Sequence, residues 1–374
     1  MRFRIGVALV VLLHVPGVAF AQDTRAEEVA RLQAEKAQQL RPYEPSRGEK
    51  AIDLASRMLA AGHGAYPWVG SAYPGGSFTL GAGYRHSLGD TGVYNLLGGW
   101  SVKNYKVARA DVKLPEFAHR HIVITAHGGW LDAPEVAFYG LGNDSPKDGK
   151  TTYEYTPTTV GATGTLRLTN WLSAGAGADY LSVDSSIADV TYLVSRAGVG
   201  IDWRPAPDYS RRGGLYRLEW TSHDDRDVGT FTFRQLEAEL VQLLPLFHES
   251  SIIALRGLAT TTDVDAGQTI PVFMLPSLGG GTNLRGYPSW RFRDRHRLLL
   301  SAEYRWTPAQ VIDMALFADA GKVAANRSDL YLDGLKSDIG IGVRLHGPSF
   351  TAMRLDFARG REGWVINIGG GAAF

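Results

Sequence analysis

The chain of 374 residues contains no cysteine, which excludes disulfide bonds and thiolate metal sites. Its formal net charge of +1 lacks the positive excess that is typical of nucleic-acid-binding domains, so we expect no nucleic-acid partner. After residue 21, no apolar run approaches the roughly 18 residues that a membrane-spanning helix needs. These absences leave periplasmic, secreted and β-barrel proteins as the classes to consider for an exported chain.

Sequence motifs of common enzymes are also missing. The sequence contains neither a phosphate-binding loop nor a G-x-S-x-G nucleophile elbow. His119 and His121 have the spacing of a metal pair on one strand face, but no other ligand cluster lies near them, and a position at a barrel rim is the preferred interpretation. A serine and a histidine that converge only in space stay open as an alternative. We predict no enzyme activity, no cofactor and no metal site.

Residues 1–21 have the pattern of a secretory signal peptide. Arg2 and Arg4 precede an apolar stretch, and Ala19-Phe20-Ala21 fits the small-x-small cleavage pattern. The apolar stretch is too short for a membrane span, so we predict cleavage before Gln22 and export.

Residues 22–64 differ in composition from the rest of the chain. They begin with a stretch rich in Ala, Glu, Gln, Arg and Lys, which are good helix formers, and Pro42 and Pro45 end that stretch. We predict a short helical arm over 22–64, located in the periplasm or in the lumen of a barrel.

From about residue 70 onward, apolar residues alternate with polar residues or glycine. The period of two is clear in the segment 296–307, where the apolar set is Leu298, Leu300, Ala302, Tyr304 and Trp306. A soluble sandwich gives the same alternation with its apolar face inward. Export, the abundance of glycine (44 residues) and aromatic strand ends favour lipid outside and water inside.

About fifteen alternating segments are visible in the sequence. Single-chain bacterial barrels close with an even number of strands, so we predict a sixteen-stranded antiparallel transmembrane β-barrel over 65–374, with one strand missed before residue 264.

Two short stretches place charges in this apolar pattern. Residues 279–287 hold a glycine run followed by Arg285, and residues 317–321 hold Asp319 in an alternating strand. The phase of the alternation points Asp319 and Glu303 into the lumen. A guanidinium can bind two carboxylates in fork geometry, so an inward-folded loop could present Arg285 to both. A surface loop with a solvated arginine is the alternative that these residues leave open.

The two stretches resemble the signature of the BamA/TamA superfamily of outer-membrane assembly and translocation barrels. The first motif is Leu284, Arg285, Gly286 and Tyr287, and the second, of the form FxDxG, is Phe317, Asp319 and Gly321. The resemblance covers roughly residues 70–374. It implies that the loop before the last five strands tucks into a sixteen-stranded barrel, and that Arg285 pairs with Asp319 and Glu303.

Two further features fit the same family with less specificity. Residues 138–145 look like a recurrent stretch of the superfamily, although their Gly-Asn-Asp-Ser is ordinary loop chemistry. Phe374 ends the last predicted segment, 363–374. A terminal phenylalanine is usual in strands that the outer-membrane assembly machinery recognises. The preceding glycines weaken this strand.

The resemblance implies a protein of the bacterial outer membrane that assists insertion or translocation of proteins, or of lipids, at that membrane. The implied partners are outer-membrane lipid, client outer-membrane or secreted proteins, and a periplasmic partner that binds the helical arm. The arm is too short for a POTRA domain, the periplasmic module that normally receives clients. A passive pore gated by the inward-folded loop and a docking barrel for a periplasmic partner are the alternatives.

Overall fold

The computed structural model describes residues 28–29, 31, 63–207, 209–246, 248–347, 350–371 and 373–374. The chain divides into two compact units, 1–55 and 56–374. In the first unit the three described residues, Glu28, Val29 and Arg31, are helical. The predicted signal peptide of residues 1–21 and nearly all of the predicted arm lie outside the described residues.

One antiparallel sheet of sixteen strands dominates the second unit, and its strands are ordered as they follow in the chain. A separate two-stranded ribbon, β12 with β13, comes in the chain between the eleventh and twelfth strands of that sheet, which pair directly with each other. The strands are β1 (Gly64–Gly70), β2 (Thr79–Leu88), β3 (Gly92–Ser101), β4 (Lys106–Lys113), β5 (Ile122–Phe138), β6 (Thr151–Arg167), β7 (Leu172–Ser185), β8 (Val190–Asp202), β9 (Gly213–Asp225), β10 (Phe233–Leu246), β11 (His248–Val264), β12 (Ser277–Leu278), β13 (Phe292–Arg293), β14 (His296–Ala309), β15 (Ile312–Ala324), β16 (Lys336–His346), β17 (Thr351–Gly360) and β18 (Gly363–Gly369). Single 3-10 turns occur at Lys147–Gly149, Val272–Met274 and Arg327–Asp329.

The exposed face of the sheet is its apolar face, which decides between a sandwich and a membrane barrel. In β15, Leu316 is 50% exposed, whereas its neighbour Phe317, on the other face, is 5% exposed. In β14, Leu300 and Tyr304 are exposed and Glu303 between them is buried. A soluble sandwich would bury the apolar set, so the lipid-outside pattern of a transmembrane barrel is confirmed.

The prediction of sixteen strands with one missed before residue 264 is confirmed, and the missed strand is β1. Its sequence contains Pro67 and has a glycine at each end, which hides the alternation. Proline is tolerated there because β1 is an edge strand, where one side of the backbone has no ladder partner. Tyr66 and Trp68 of β1 point toward the inner face, over the glycines of β2.

The two edges of the sheet are β1 and β18. Register pairs join β1 to β2 and β17 to β18, and within the described strands none joins β18 to β1. The barrel is therefore nearly closed, with an unpaired seam between its first and last strands. The last predicted segment, 363–374, is shortened: β18 ends at Gly369, and Phe374 lies beyond the final strand. The glycines that follow weaken strand pairing and account for the early end.

None of the helices in the described part of the chain has the length and hydropathy to cross a membrane.

Candidate functional site

The connection between β11 and β14, residues 265–295, folds into the interior of the barrel, and we call it the luminal loop. Leu284 and Tyr287 are at most 1% exposed. They pack in one apolar cluster with Phe292 of the loop and Leu299 of the wall. The Gly280 N–H donates to the Tyr287 carbonyl at 3.1 Å, which closes the tip of the loop on itself. The loop is therefore packed like part of a hydrophobic core, and it is not the solvated surface loop that the sequence left open as an alternative.

Arg285 lies at the tip of the luminal loop and binds two carboxylates of the wall. Its Nε and Nη2 donate to the two oxygens of Asp319 at 2.7 and 2.8 Å, which is the fork geometry of a bidentate pair. Its Nη1 donates to Glu303. The guanidinium also stands 3.5 Å from the centre of the Phe317 ring. The structure therefore brings together the arginine of the first motif with Asp319 and Glu303, and it adds Phe317 as a cation–π partner.

The charge on Arg285 is maintained despite its burial. Removal from water by itself lowers the pKa of a guanidinium. The neighbouring carboxylates of Glu303 and Asp319 outweigh this effect, so the pKa of Arg285 is raised above its ordinary value. Arg285 is therefore a permanent cation at this position.

Gly286 and Tyr287 attach the same loop tip to the next pair of strands. The Gly286 N–H donates to Asp338 Oδ2 at 2.7 Å. A Cβ on Gly286 would lie 2.4 Å from the Asp338 Cβ and 2.6 Å from the Gly360 nitrogen, so a larger residue does not fit. The Tyr287 hydroxyl donates to the Ser337 carbonyl at 3.4 Å. Glycine is required here because the backbone approaches the wall directly.

The second motif now has a physical reason for each of its residues. Phe317 supplies the ring beneath the guanidinium, and Asp319 accepts the fork. A Cβ on Gly321 would lie 2.7 Å from the Leu298 carbonyl oxygen and 2.9 Å from a methyl group of Leu278. Gly321 therefore makes room for the luminal loop where it passes the wall.

Asp338 is a site residue that the sequence analysis missed. It stands directly opposite Asp319 in the register of β15 and β16. Like charges in directly opposed positions destabilise a sheet. Arg285 binds Asp319 and the Gly286 N–H donates to Asp338, so the loop supplies a partner to each of the two opposed acids. The signal lay in the register between the two strands, which alternation alone does not give.

Charged residues of β14–β17 extend the site into a network. Glu303 also accepts from Arg305 Nε at 2.5 Å and from Arg344 Nη2 at 3.3 Å. Arg354 Nε lies 2.9 Å from Asp356 Oδ2, and its Nη2 donates to the Gly281 carbonyl at 2.7 Å. We call the following eight residues the charge network: Arg285, Glu303, Arg305, Asp319, Asp338, Arg344, Arg354 and Asp356. Four are cationic and four anionic, so formal charges balance.

Arg344, Arg354 and Asp356 alternate with apolar residues, a pattern that predicts only that they face the lumen. The structure places them within the charge network, with each residue at most 4% exposed. Arg354 contacts the loop directly through the Gly281 carbonyl. Alternation identifies such residues as inward-facing but cannot tell a solvated wall from a loop-binding one.

Residues 138–145 hold the outer part of the luminal loop. Arg291 Nη2 donates to the Ser145 carbonyl at 2.7 Å, and the Gly142 N–H donates to the Arg293 carbonyl at 2.9 Å. Asp144 pairs with Lys336 at 2.8 Å, which lowers the pKa of that carboxyl. The segment thus ties the loop between β5 and β6 to the luminal loop and to the start of β16.

Phe374 takes a position other than the one expected from alternation, whereas His119 and His121 lie in the β4–β5 turn, consistent with the preferred rim interpretation. The Phe374 ring lies 4.9 Å from the Arg305 guanidinium and packs near Ile252, so it contacts inward-facing residues. His119 lies in the β4–β5 turn with a positive φ of 55° and not on a strand face. Across the described ranges, no cluster of three histidine or acidic side chains is arranged to hold a metal ion.

Comparisons with known proteins agree with this architecture. Residues 207–374 match the Omp85 superfamily domain. BamA from Haemophilus ducreyi lacking POTRA domains 1–3 superposes with a TM-score of 0.62 at 13% identity, over 83% of this chain and 69% of that one. CdiB from Escherichia coli gives 0.58 at 13% identity, over 82% and 62% of the two chains. CdiB from Acinetobacter baumannii gives 0.53 at 10% identity, over 82% and 58%. The chain therefore spans less than two thirds of each CdiB chain. A comparison with curated proteins finds no match.

Proposed function

We propose that this chain, whose residues 207–374 form an Omp85 superfamily domain, is an outer-membrane barrel that assists insertion or translocation of proteins at the bacterial outer membrane. Omp85 barrels such as BamA and CdiB insert or translocate proteins at that membrane. The observation that carries the proposal is the buried fork of Arg285 on Asp319, with Glu303, inside a sixteen-stranded barrel. We infer that the activity needs neither covalent chemistry nor a cofactor.

The two edge strands are the elements on which such an activity would act. Both β1 and β18 have only seven residues, and each pairs with a neighbour on one side within the described sheet. An unpaired strand edge presents N–H and C=O groups that can template another strand. Opening between β1 and β18 would expose this template within the membrane, where a client strand needs backbone partners.

The luminal loop would keep the rest of the wall fixed while the edges move. Arg285 joins β14 to β15, Gly286 and Tyr287 bind β16, and the Asn367 side chain of β18 donates to the Arg285 carbonyl at 3.0 Å. The connection to β18 is a single hydrogen bond between neutral groups, whereas the loop tip binds carboxylates of β14, β15 and β16. Local opening draws on elements of low stability, so β18 is the part that would separate first.

A reversible crosslink between the edge strands tests this function. The chain has no native cysteine, so two introduced cysteines can form an intramolecular disulfide only with each other. Because β1 and β18 are antiparallel neighbours around a barrel, Ala65→Cys near the start of β1 and Ile368→Cys near the end of β18 lie at the same end. Disulfide formation should abolish assembly of an unfolded outer-membrane client into liposomes, and reductant should restore it.

The matched control is a disulfide across strands that are already paired. Ala82 and Gly98 stand opposite each other on β2 and β3, so Ala82→Cys with Gly98→Cys should leave assembly unchanged. If the edge-locked barrel assembles clients as fast as the reduced one, opening between β1 and β18 is not the mechanism.

A gated pore is the second candidate, and one feature of the lumen favours it. A cavity of about 270 Å³ lies along β6–β9 and is lined by small or polar residues such as Thr163, Ser173 and Gly175. Single-channel conductance through a barrel whose edges are locked would support the pore and contradict lateral opening.

A further inference from the structure

A groove crosses the outer wall of the barrel from β9 to β17. Its volume is about 1170 Å³. The floor consists of small residues, and larger apolar residues rise on either side. The floor is Gly257, Ala302, Ala318 and Ala320, and the sides include Leu300 and Ile339. Ala318 stands between Ala302 and Ile339 in the strand register, so the small residues form a continuous depression and not isolated gaps.

Two arginines close the groove at the end of β17. Arg359 stands opposite Ile339 in the register, and Arg361 follows in the next turn. The Arg359 guanidinium lies 5.5 Å from the centre of the exposed Trp364 ring, so an aromatic side chain positions it at the rim. Through the described part of the chain, neither guanidinium has a carboxylate within salt-bridge distance.

Several other arginines at this end of the barrel have carboxylate partners. Arg234 pairs with Asp265 at 3.1 Å, and Arg327 pairs with Asp263 at 2.8 Å. Glu362 follows Arg361 in the chain, but it is bound by Arg291 at 2.6 Å. Among the described residues, Arg359 and Arg361 therefore differ from Arg234, Arg327 and Arg291 in having no carboxylate within salt-bridge distance.

Acidic residues behind the groove do not cancel this positive charge at the surface. Asp319 and Asp338 contribute to the groove lining, but both are at most 3% exposed. Their carboxylates are bound from the inside, by Arg285 and by the Gly286 N–H. On its outer side the groove is therefore apolar along its length and cationic at one end.

We infer that the groove binds a membrane lipid whose headgroup carries a net negative phosphate. Arginine guanidinium groups bind phosphate through paired, charge-assisted hydrogen bonds. Acyl chains would cover the depression over Ala302 and Ala318, and the phosphate would lie between Arg359 and Arg361. A basic site at a membrane surface next to an apolar cleft is the arrangement by which membrane proteins select anionic lipids. This inference rests on the membrane location in the proposed function, and it is independent of the insertion activity.

Native mass spectrometry of the folded barrel tests the headgroup part. Protein released from mixed micelles should retain phosphatidylglycerol and not phosphatidylcholine. The double variant Arg359→Gln/Arg361→Gln should retain about tenfold less, equivalent to about 1.4 kcal/mol. Arg234→Gln, which changes a paired arginine outside the groove, should retain as much as the wild type. Equal retention by the double variant, or equal loss in Arg234→Gln, would overturn the inference.

A second pair of variants tests the acyl part without changing charge. Ala318→Leu fills the floor of the groove and should reduce phosphatidylglycerol retention, whereas Ala108→Leu, on the exposed face of β4, should not. Unchanged retention in Ala318→Leu would show that the lipid does not lie in this depression. Client assembly is measured on the same samples. Loss of lipid with normal assembly leaves the proposed function intact, and loss of assembly with normal retention leaves the lipid site intact.

Discussion

The two halves of the barrel wall share one outer pattern and differ in what they present to the lumen. On β14–β17 the inner face carries the charge network, and the luminal loop covers it. On β5–β8 the inner face carries no comparable network: one end of it packs against the luminal loop through apolar residues such as Tyr155, and the rest carries small residues such as Gly161 and Gly175 with a small charged group around Asp179. The alternation of apolar with polar residues is imposed by lipid on the outer face, so it is the same in both regions of the wall. The inner face is set by what lies against it, so the region that holds the charge network, where each buried charge needs a specific partner, is specified more tightly.

The charged groups of the two halves illustrate this difference. Asp179 contacts His127 at 3.1 Å and Arg196, whose side chain is 34% exposed. Arg285, in contrast, is 1% exposed and surrounded by acceptors. Water can replace a lost partner in the first case and not in the second. Substitutions of charged residues in the charge network should therefore cost more stability than equivalent substitutions of charged residues elsewhere in the lumen.

The largest effect is expected from Arg285→Ala. It leaves Asp319 buried without its bidentate cation and removes one of the three arginines around Glu303, and breaking a buried pair in this way costs about 3–5 kcal/mol. The barrel should lose its heat-resistant migration at lower temperature, and proteolysis should cut the luminal loop. Arg217→Ala is the control: Arg217 pairs with Glu239 at 2.9 Å but its side chain is 44% exposed, so its removal should cost about 0–1 kcal/mol. Equal losses in the two variants would remove the distinction between the two halves.

Gly286→Ala should have the next largest effect, because its Cβ would overlap the wall. Overpacking of this kind costs about 1–3 kcal/mol. Gly175→Ala on the inner face of β7 is the matched change, since its Cβ would meet its nearest neighbour at 3.4 Å. Denaturant unfolding in detergent should separate the two variants. A Gly286→Ala protein as stable as Gly175→Ala would show that the loop tip does not need its close approach to the wall.

The opposed carboxylates predict an asymmetry between two conservative changes. Asp319→Asn should destabilise the barrel, since hydrogen bonds to charged groups contribute about 1.5–3 kcal/mol and Arg285 would lose its bidentate anion. Asp338→Asn keeps an acceptor for the Gly286 N–H and removes a like charge opposite Asp319, so it should change stability by less than about 1 kcal/mol. The same unfolding midpoints measure both. A larger loss in Asp338→Asn would reverse the roles assigned to the two acids.

The smallest effect is expected from Tyr287→Phe. The hydroxyl donates over 3.4 Å to the Ser337 carbonyl, and a hydrogen bond of this kind contributes at most about 1 kcal/mol. Tyr287→Ala should instead cost about 3–5 kcal/mol, because the ring is buried among the apolar residues of the loop. Similar losses in the two variants would mean that the hydroxyl, and not the ring, holds the loop tip.

The sequence predicted what alternation and local motifs determine, and it missed what depends on register. The strands of the wall follow from period two, and the inward direction of Asp319 and Glu303 follows from its phase. β1 was missed because proline and glycine interrupt its pattern. Asp338 was missed because its position opposite Asp319 depends on how two strands align. The contacts of Arg354 depend on how the luminal loop, residues 265–295, folds, and alternation gives no information about that loop.

The central claim is that the luminal loop, held by Arg285 on Asp319 and Glu303, keeps the barrel in the state that acts on clients. The most direct test compares client assembly by Arg285→Ala and Arg217→Ala barrels in liposomes, at equal amounts of folded protein. The account predicts that Arg285→Ala slows assembly by about tenfold or more, equivalent to at least 1.4 kcal/mol, while Arg217→Ala stays close to the wild type. Equal assembly rates for the two variants would contradict it.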